Sequence, residues 1–223
     1  MRIRRKKNLK ERLEFAGERL LRADTSILDA RAARLQKDYI NFSELFKNDY
    51  PVQMEIGCGK GGFIIELAKK YPEKNFFAVE LLDNIIVMAA ELAEKEGVEN
   101  LKFFTCGADY LARYIKEGTI EKLYLNFSPP YSGKRYENRR LTKSALISDY
   151  KSFMKIDGEI LQKTDDKGFF DYSFEQFVKF GFDTKDISEK LNEEGAAKVQ
   201  SEYEKKFRSL GMPVYALSAV KRV

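Results

Sequence analysis

The stretch Glu55 to Phe63, EIGCGKGGF, sets three glycines, Gly57, Gly59 and Gly62, at G-x-G-x-x-G spacing, with a carboxylate two residues ahead of the first. Glycines so spaced permit a tight turn and let the backbone approach a ligand at the N-terminus of a helix. A second carboxylate, Glu80, ends the next apolar segment, where it can accept hydrogen bonds from both hydroxyls of an adenosine ribose. A nucleoside cofactor is expected. Glu55 narrows the choice: a pyrophosphate beside a carboxylate is repelled in a partly dry site, whereas a cationic amine and sulfonium are attracted. The other chemical stretch is Leu125 to Thr142, LNFSPPYSGKRYENRRLT, an apolar run that breaks into adjacent prolines, an aromatic ring and a cluster of cations. Lys134, Arg135, Arg139 and Arg140, with Arg2, Arg4, Arg5, Lys6 and Lys7 near the N-terminus, can neutralise nucleic-acid phosphates. Tyr131 and Tyr136 can stack on a displaced base.

Composition removes several alternatives. Histidine is absent and cysteine occurs only at Cys58 and Cys106, so a structural zinc site and any triad that needs an imidazole are excluded. Chemistry here must rest on carboxylates, positioning or a cofactor. The net charge of +5, from 40 basic and 35 acidic residues, is a mild bias toward anionic partners that depends on where the charge sits. The first twelve residues, MRIRRKKNLKER, lack the apolar core of a signal peptide. No run of about 18 apolar residues occurs. A soluble cytoplasmic protein is expected, with no membrane and no metal partner, acting as a monomer or homodimer.

Short apolar runs alternate with helical patterns, as in successive βαβ units of an α/β sheet. VQMEI, NFFAVE, LKFFT, EKLYLNF and GEILQKT read as strands, and MPVYALSAV as a late strand, antiparallel at the sheet edge. Helices are expected over Gly62 to Lys70, Asp83 to Glu96 and Ser144 to Met154, and FDYSFEQFVKF carries an aromatic core stripe at helical spacing. With no internal repeat or low-complexity linker, residues 1–223 read as one domain, residues 1–12 forming a basic arm that is mobile when free.

The arrangement acid-x-Gly-x-Gly-x-Gly, here EIGCGKG, resembles the first motif of class I S-adenosylmethionine methyltransferases. With MRIRRK, AVELLDNII, LYLNFSPPYSGKRYENRRLT, QKTDDKGFFDYS and SEYEKKFRSLGMPVY, the chain resembles, over nearly its full length, the bacterial tRNA (guanine-N7)-methyltransferases. The resemblance implies a Rossmann-like fold: a mostly parallel seven-stranded sheet with an antiparallel edge strand and helices on both faces. It implies methyl transfer from S-adenosylmethionine to N7 of a guanine in the variable loop of tRNA. It assigns the cofactor to Glu55, Gly57, Gly59, Gly62, Glu80, Gly107, Asp109 and Asn126. It assigns the substrate to Gly133, Lys134, Arg135, Arg139, Arg140, Asp165, Ser201, Glu202, Tyr203 and Glu204. Asp165 is the guanine-recognition candidate, since a carboxylate matches the N1–H and N2–H donors of the base; a helix N-cap is its competing role.

Guanine N7 carries a free lone pair, so the transfer needs no proton removed beforehand. This matters because the chain departs from the family pattern N-F-x-D-P-W-P-K-K-R-H. Pro129 stands where the proposed catalytic Asp belongs, Gly133 replaces a substrate-binding Lys, and Gly107 replaces a cofactor-contacting Asp. The expectation is that catalysis survives, with Pro129 and Asp165 at the catalytic positions. Positioning is then shared among backbone carbonyls near Ser128 and Pro129 and the carboxylates of Asp165 and Glu204. Two other readings stay open: methylation of an exocyclic base amine through the SPPY segment, with Tyr131 stacking on the base, and a tRNA-binding member that has lost turnover.

Overall fold

Each interior strand alternates its side chains between two helical layers. In β3, Asn75–Glu80, Phe76 and Ala78 pack on one face and Phe77 and Val79 on the other. The strand is buried on both sides, which a parallel sheet requires. The computed structural model describes residues 7–24, 26, 29–191 and 199–223. Arg2, Arg4, Arg5 and Lys6 of the expected arm lie outside the described residues.

From the N-terminus the elements are α1 Leu9–Phe15, β1 Leu20–Arg22, α2 Ala30–Leu35, α3 Phe42–Phe46, β2 Val52–Ile56, α4 Gly62–Lys70, then β3, α5 Asp83–Lys95 and β4 Leu101–Thr105. The second half holds α6 Leu111–Tyr114, β5 Ile120–Asn126, α7 Ser144–Phe153, β6 Met154–Thr164, α8 Lys167–Lys179, β7 Phe182–Asp186, α9 Glu202–Ser209 and β8 Tyr215–Lys221. The strands form one eight-stranded sheet in the order β1-β4-β3-β2-β5-β6-β8-β7. It is parallel from β1 to β6 and antiparallel at β8 and β7.

The expected mostly parallel sheet with an antiparallel margin is present, and two details differ from the sequence reading. The short β1 adds an eighth strand beside β4, and β8 sits one place inside the margin because β7 pairs outside it. The expected arm is also partly structured: α1 begins at Leu9, and Arg12 places two guanidinium hydrogen bonds of 2.6 Å on Glu91 of α5.

One core layer joins Met54, Phe77, Leu123 and Leu125 to Ile147, Tyr150 and Phe177 of α7 and α8. The other joins Phe76, Ala78 and Phe103 to Ile64, Leu67, Ala89 and Ala93 of α4 and α5. Strand order reverses at β2, which lies between β3 and β5. In open α/β sheets the crevice beyond the carboxyl ends at such a reversal is where ligands bind.

Candidate cofactor and substrate cleft

The loop leaving β2 is drawn onto β3: the N–H groups of Gly57 and Cys58 both donate to the Val79 carbonyl, at 2.8 and 3.1 Å. Gly59, at φ +56°, turns the chain back and donates its N–H to Glu80 Oε2 at 3.2 Å. Gly61 caps α4 at φ +83°, and a Cβ there would stand 2.9 Å from Cβ of Ala89. Only glycine provides that conformation and lets α5 pack so closely. The G-x-G-x-x-G template passes over Gly61, although the run GKGG displays it. Gly62, the template's third glycine, faces Glu202, whose Cγ would lie 3.4 Å from an added Cβ.

Glu80 is held by three backbone donors. Besides Gly59, the N–H groups of Leu81 and Leu82 reach its Oε1 at 2.8 and 3.1 Å. A carboxylate has about four acceptor sites, so room remains for a ribose hydroxyl but not freely for two.

Glu55 follows from strand alternation. On β2, Val52, Met54 and Ile56 enter one core layer, so Gln53 and Glu55 point to the opposite face, beside Tyr124 and Asn126 of β5. Tyr124 donates to Gln53 at 2.6 Å, and Asn126 Nδ2 donates to Glu55 Oε1 at 2.8 Å. Glu55 is 2% exposed and its Oε2 has no hydrogen-bond partner among the described residues. Burial above all, with Glu80 nearby, pushes its pKa up to about 8, against the Asn126 hydrogen bond and the charge of Lys163. A buried acid with an unused oxygen suits a cation and disfavours a phosphate. The residues therefore fit the amine-bearing sulfonium cofactor expected from the sequence.

These groups border one cleft of about 910 Å³ at the carboxyl ends of the strands. Glu55, Gly57, Gly59, Gly62, Glu80, Gly107, Asp109 and Asn126 all line it. Gly107 stays within reach of Tyr110, 3.3 Å from where a Cβ would stand. Asp109 is held by Lys143 at 2.7 Å and Arg34 at 3.9 Å. The sequence reading missed Leu81, Leu82 and Ile85, which supply an apolar wall beside Glu80. Leu81 is 65% exposed, and an apolar pair directly after a strand-end acid was the signal available.

Across the cleft stand Ser128, Pro129, Tyr131 and Arg139, with Ser201, Glu202, Tyr203 and Lys206 from α9 and its cap. Pro129 presents an exposed ring and no ionisable group. The segment is held in an unusual shape, with Phe127 at φ +48° and Tyr131 at φ +43°. Arg140 accounts for part of this. It is 8% exposed, donates to the carbonyls of Pro130 at 2.9 Å and Tyr131 at 3.2 Å, and lies 4.2 Å over the Tyr172 ring. This corrects its expected role as a phosphate contact: Arg140 faces inward and braces the loop. Gly133, Lys134, Arg135 and Arg139 are exposed. Arg135 and Arg139 lie over Tyr136 at 4.5 and 5.8 Å, and Arg139 over Tyr131 at 5.8 Å. That surface presents cations and rings together, as single-stranded nucleic acid requires.

The segment Ser201 to Glu204 divides by helical period. Ser201 is the N-cap of α9, its Oγ accepting the Glu204 N–H at 3.1 Å, while Glu202 and Tyr203 face the cleft. Glu204 is 0% exposed and bonded to Lys163 and Arg208 at 2.8 and 3.0 Å. Its expected share in positioning the substrate base is thereby corrected: the carboxylate is spent inside the protein, and Glu202 is the acid on the cleft wall. Asp165, just past β6, is half-buried and its carboxylate makes no hydrogen bond or ion pair among the described residues. Its competing role goes to its neighbour, since Asp166 caps α8 through the Phe169 N–H at 2.7 Å.

A doubly layered parallel sheet, a glycine turn at its reversal point and a buried acid suited to a sulfonium define a class I methyltransferase. Residues 49–217 match a family model described as "Putative methyltransferase". The chain is 38% identical over 180 residues to the tRNA (guanine-N(7)-)-methyltransferase of Oceanobacillus iheyensis, covering 80% of this chain and 84% of that one. It is 36% identical over 204 residues to the enzyme of the same name from Staphylococcus saprophyticus, covering 91% and 95%. Among solved structures it is similar to the 16S rRNA methyltransferase KamB, with a TM-score of 0.57 at 13% identity over 90% of this chain and 96% of that one. The chain belongs to the tRNA (guanine-N7-)-methyltransferase family.

Proposed function

We propose that this chain transfers a methyl group from S-adenosylmethionine to N7 of a guanine in the variable loop of tRNA. The observation that carries the reading is a single cleft with two unlike walls. One is the glycine turn with Glu55 and Glu80. The other holds Glu202, Tyr203, Tyr131 and Arg139, beside the exposed cations of Lys134 and Arg135. When bound, the cofactor supplies an electrophilic methyl on sulfur. With that group held by the Gly57 to Gly62 turn, Glu55 and Glu80, a guanine N7 lone pair would take the methyl while the sulfur kept the bonding pair, and no proton would need to be removed. The absence of an acid at position 129 and of any histidine is therefore no obstacle.

The chain's own work is orientation. Holding N7 about 3 to 3.5 Å from the methyl carbon in line with sulfur contributes on the order of 7 to 11 kcal/mol. Tyr131 and Tyr203 offer rings for the base, the exposed cations take phosphates, and Asp165 is the acceptor for the guanine N–H pair. Glu202 accommodates the positive charge that the purine acquires. Among the described residues no group of metal-ligating side chains occurs, and no helix is long and apolar enough to cross a membrane. We place the enzyme with its tRNA in the cytoplasm. The test is transfer of labelled methyl to unmodified tRNA and to the same tRNA carrying 7-deazaguanine at the target. Label on the first and none on the second is expected; equal labelling refutes the reading.

A further inference from the structure

We propose that Lys163 is a positioning residue for methyl transfer, clamping two segments of the substrate side, α9 and the loop after β5, to the end of β6; this rests on the function proposed above. Lys163 is 4% exposed and ends outside the cleft lining. Its ammonium donates to Glu204 Oε2 at 2.8 Å and to the Val199 carbonyl at 3.1 Å, gripping α9 and the chain just before it. Its own carbonyl accepts the Phe127 N–H at 2.8 Å, gripping the loop that follows β5. One residue thus holds both segments.

The segments also meet each other. The Phe127 ring stacks on Phe207 at 5.6 Å and on Tyr203 at 6.3 Å. Glu204 relays the clamp along α9 by accepting from Arg208 at 3.0 Å, while Ser201 caps its N–H. Burial lowers the Lys163 pKa and the Glu204 carboxylate opposes that shift. A buried ion pair contributes little net stability against an apolar pair of similar volume, but it enforces one register. That fits a device that sets where Glu202 and Tyr203 stand. Glu204 is 0% exposed, so its carboxylate works inside the protein, on Lys163 and Arg208, and does not form the cleft surface.

The experiment is a double-mutant cycle of Lys163→Met and Glu204→Leu, read by transfer rate and by a reporter independent of activity. The chain has no tryptophan, so Tyr203→Trp, introduced into every member of the cycle for the emission reading, provides a single indole emitter on α9. Each single variant should lose transfer on the order of tenfold or more, the double no more than the worse single, and Lys163→Arg should recover most of the loss. The double, with an apolar pair, should melt close to the unsubstituted protein yet show the same red-shifted indole emission as Lys163→Met. Multiplying losses, or unchanged emission in the double, would overturn the clamp. If the unsubstituted protein transfers no methyl, the N7 reading fails while the emission still decides the clamp.

Discussion

Glu55 is the residue on which cofactor choice turns, and its burial makes a pH-dependent prediction. Its pKa stands at about 8 in the folded chain against an ordinary 4.5. The folded state therefore holds a proton that the unfolded state has released between those values, and this group makes the protein less stable as pH rises through that window. Glu55→Gln should melt at a higher temperature than the parent at pH 8, with the gap closing toward pH 5. Binding of a cation draws the carboxylate into its ionised form. S-adenosylhomocysteine affinity should thus climb as pH approaches 8 in the parent and lose that slope in Glu55→Gln, as calorimetry can measure. Arg140 makes a second prediction at this scale. Arg140→Ala removes two donors from the loop carbonyls and should cost about 1 to 3 kcal/mol of stability and on the order of tenfold in transfer rate. Its salt dependence of tRNA binding should match the parent, whereas Arg135→Ala should flatten that dependence by about one phosphate contact. The sequence displays both arginines in one cluster; only packing separates the inward one from the outward one.

At the scale of elements, period decides what a motif can do. SEYE reads in sequence as four equivalent candidates, yet Ser201 is spent as the N-cap at the cleft edge, Glu202 and Tyr203 line the cleft, and Glu204 turns inward on α9. Paired aspartates also divide, since Asp166 caps the helix and the Asp165 carboxylate does not. Two strands escaped the sequence reading for physical reasons. β1 has three residues, too few to display a period, and β7, FDTKD, carries the charges of an edge strand in place of an apolar run. The glycine turn was legible except for the glycine that packs. Gly61→Ala would place a methyl 2.9 Å from Ala89 at φ +83°. It should destabilise the protein by about 1 to 3 kcal/mol, visible as a lower urea midpoint, with a matching loss of cofactor affinity because α4 must shift.

For the molecule as a whole, the alternation of apolar runs and helices was enough to anticipate the parallel sheet, and with it the crevice where the chemistry gathers. Long-range placements were not legible: nothing in the local sequence indicates that Lys163 reaches α9 or that Phe127 stacks on Phe207. Those contacts join segments far apart in the chain, and they tie α9 to the loop that leads into the altered SPPY segment at the cleft. The cleft thus has no acid at position 129, while Glu202 lines it and Asp165 stands just past β6. Without an acid at position 129, the enzyme should still direct the methyl to a ring nitrogen. The most direct measurement is to methylate unmodified tRNA and map the product by N7-specific chain cleavage. One cleavage, at a variable-loop guanine, is the result predicted; methyl on an exocyclic amine, or a cofactor-bound protein that holds tRNA without transferring anything, would contradict it.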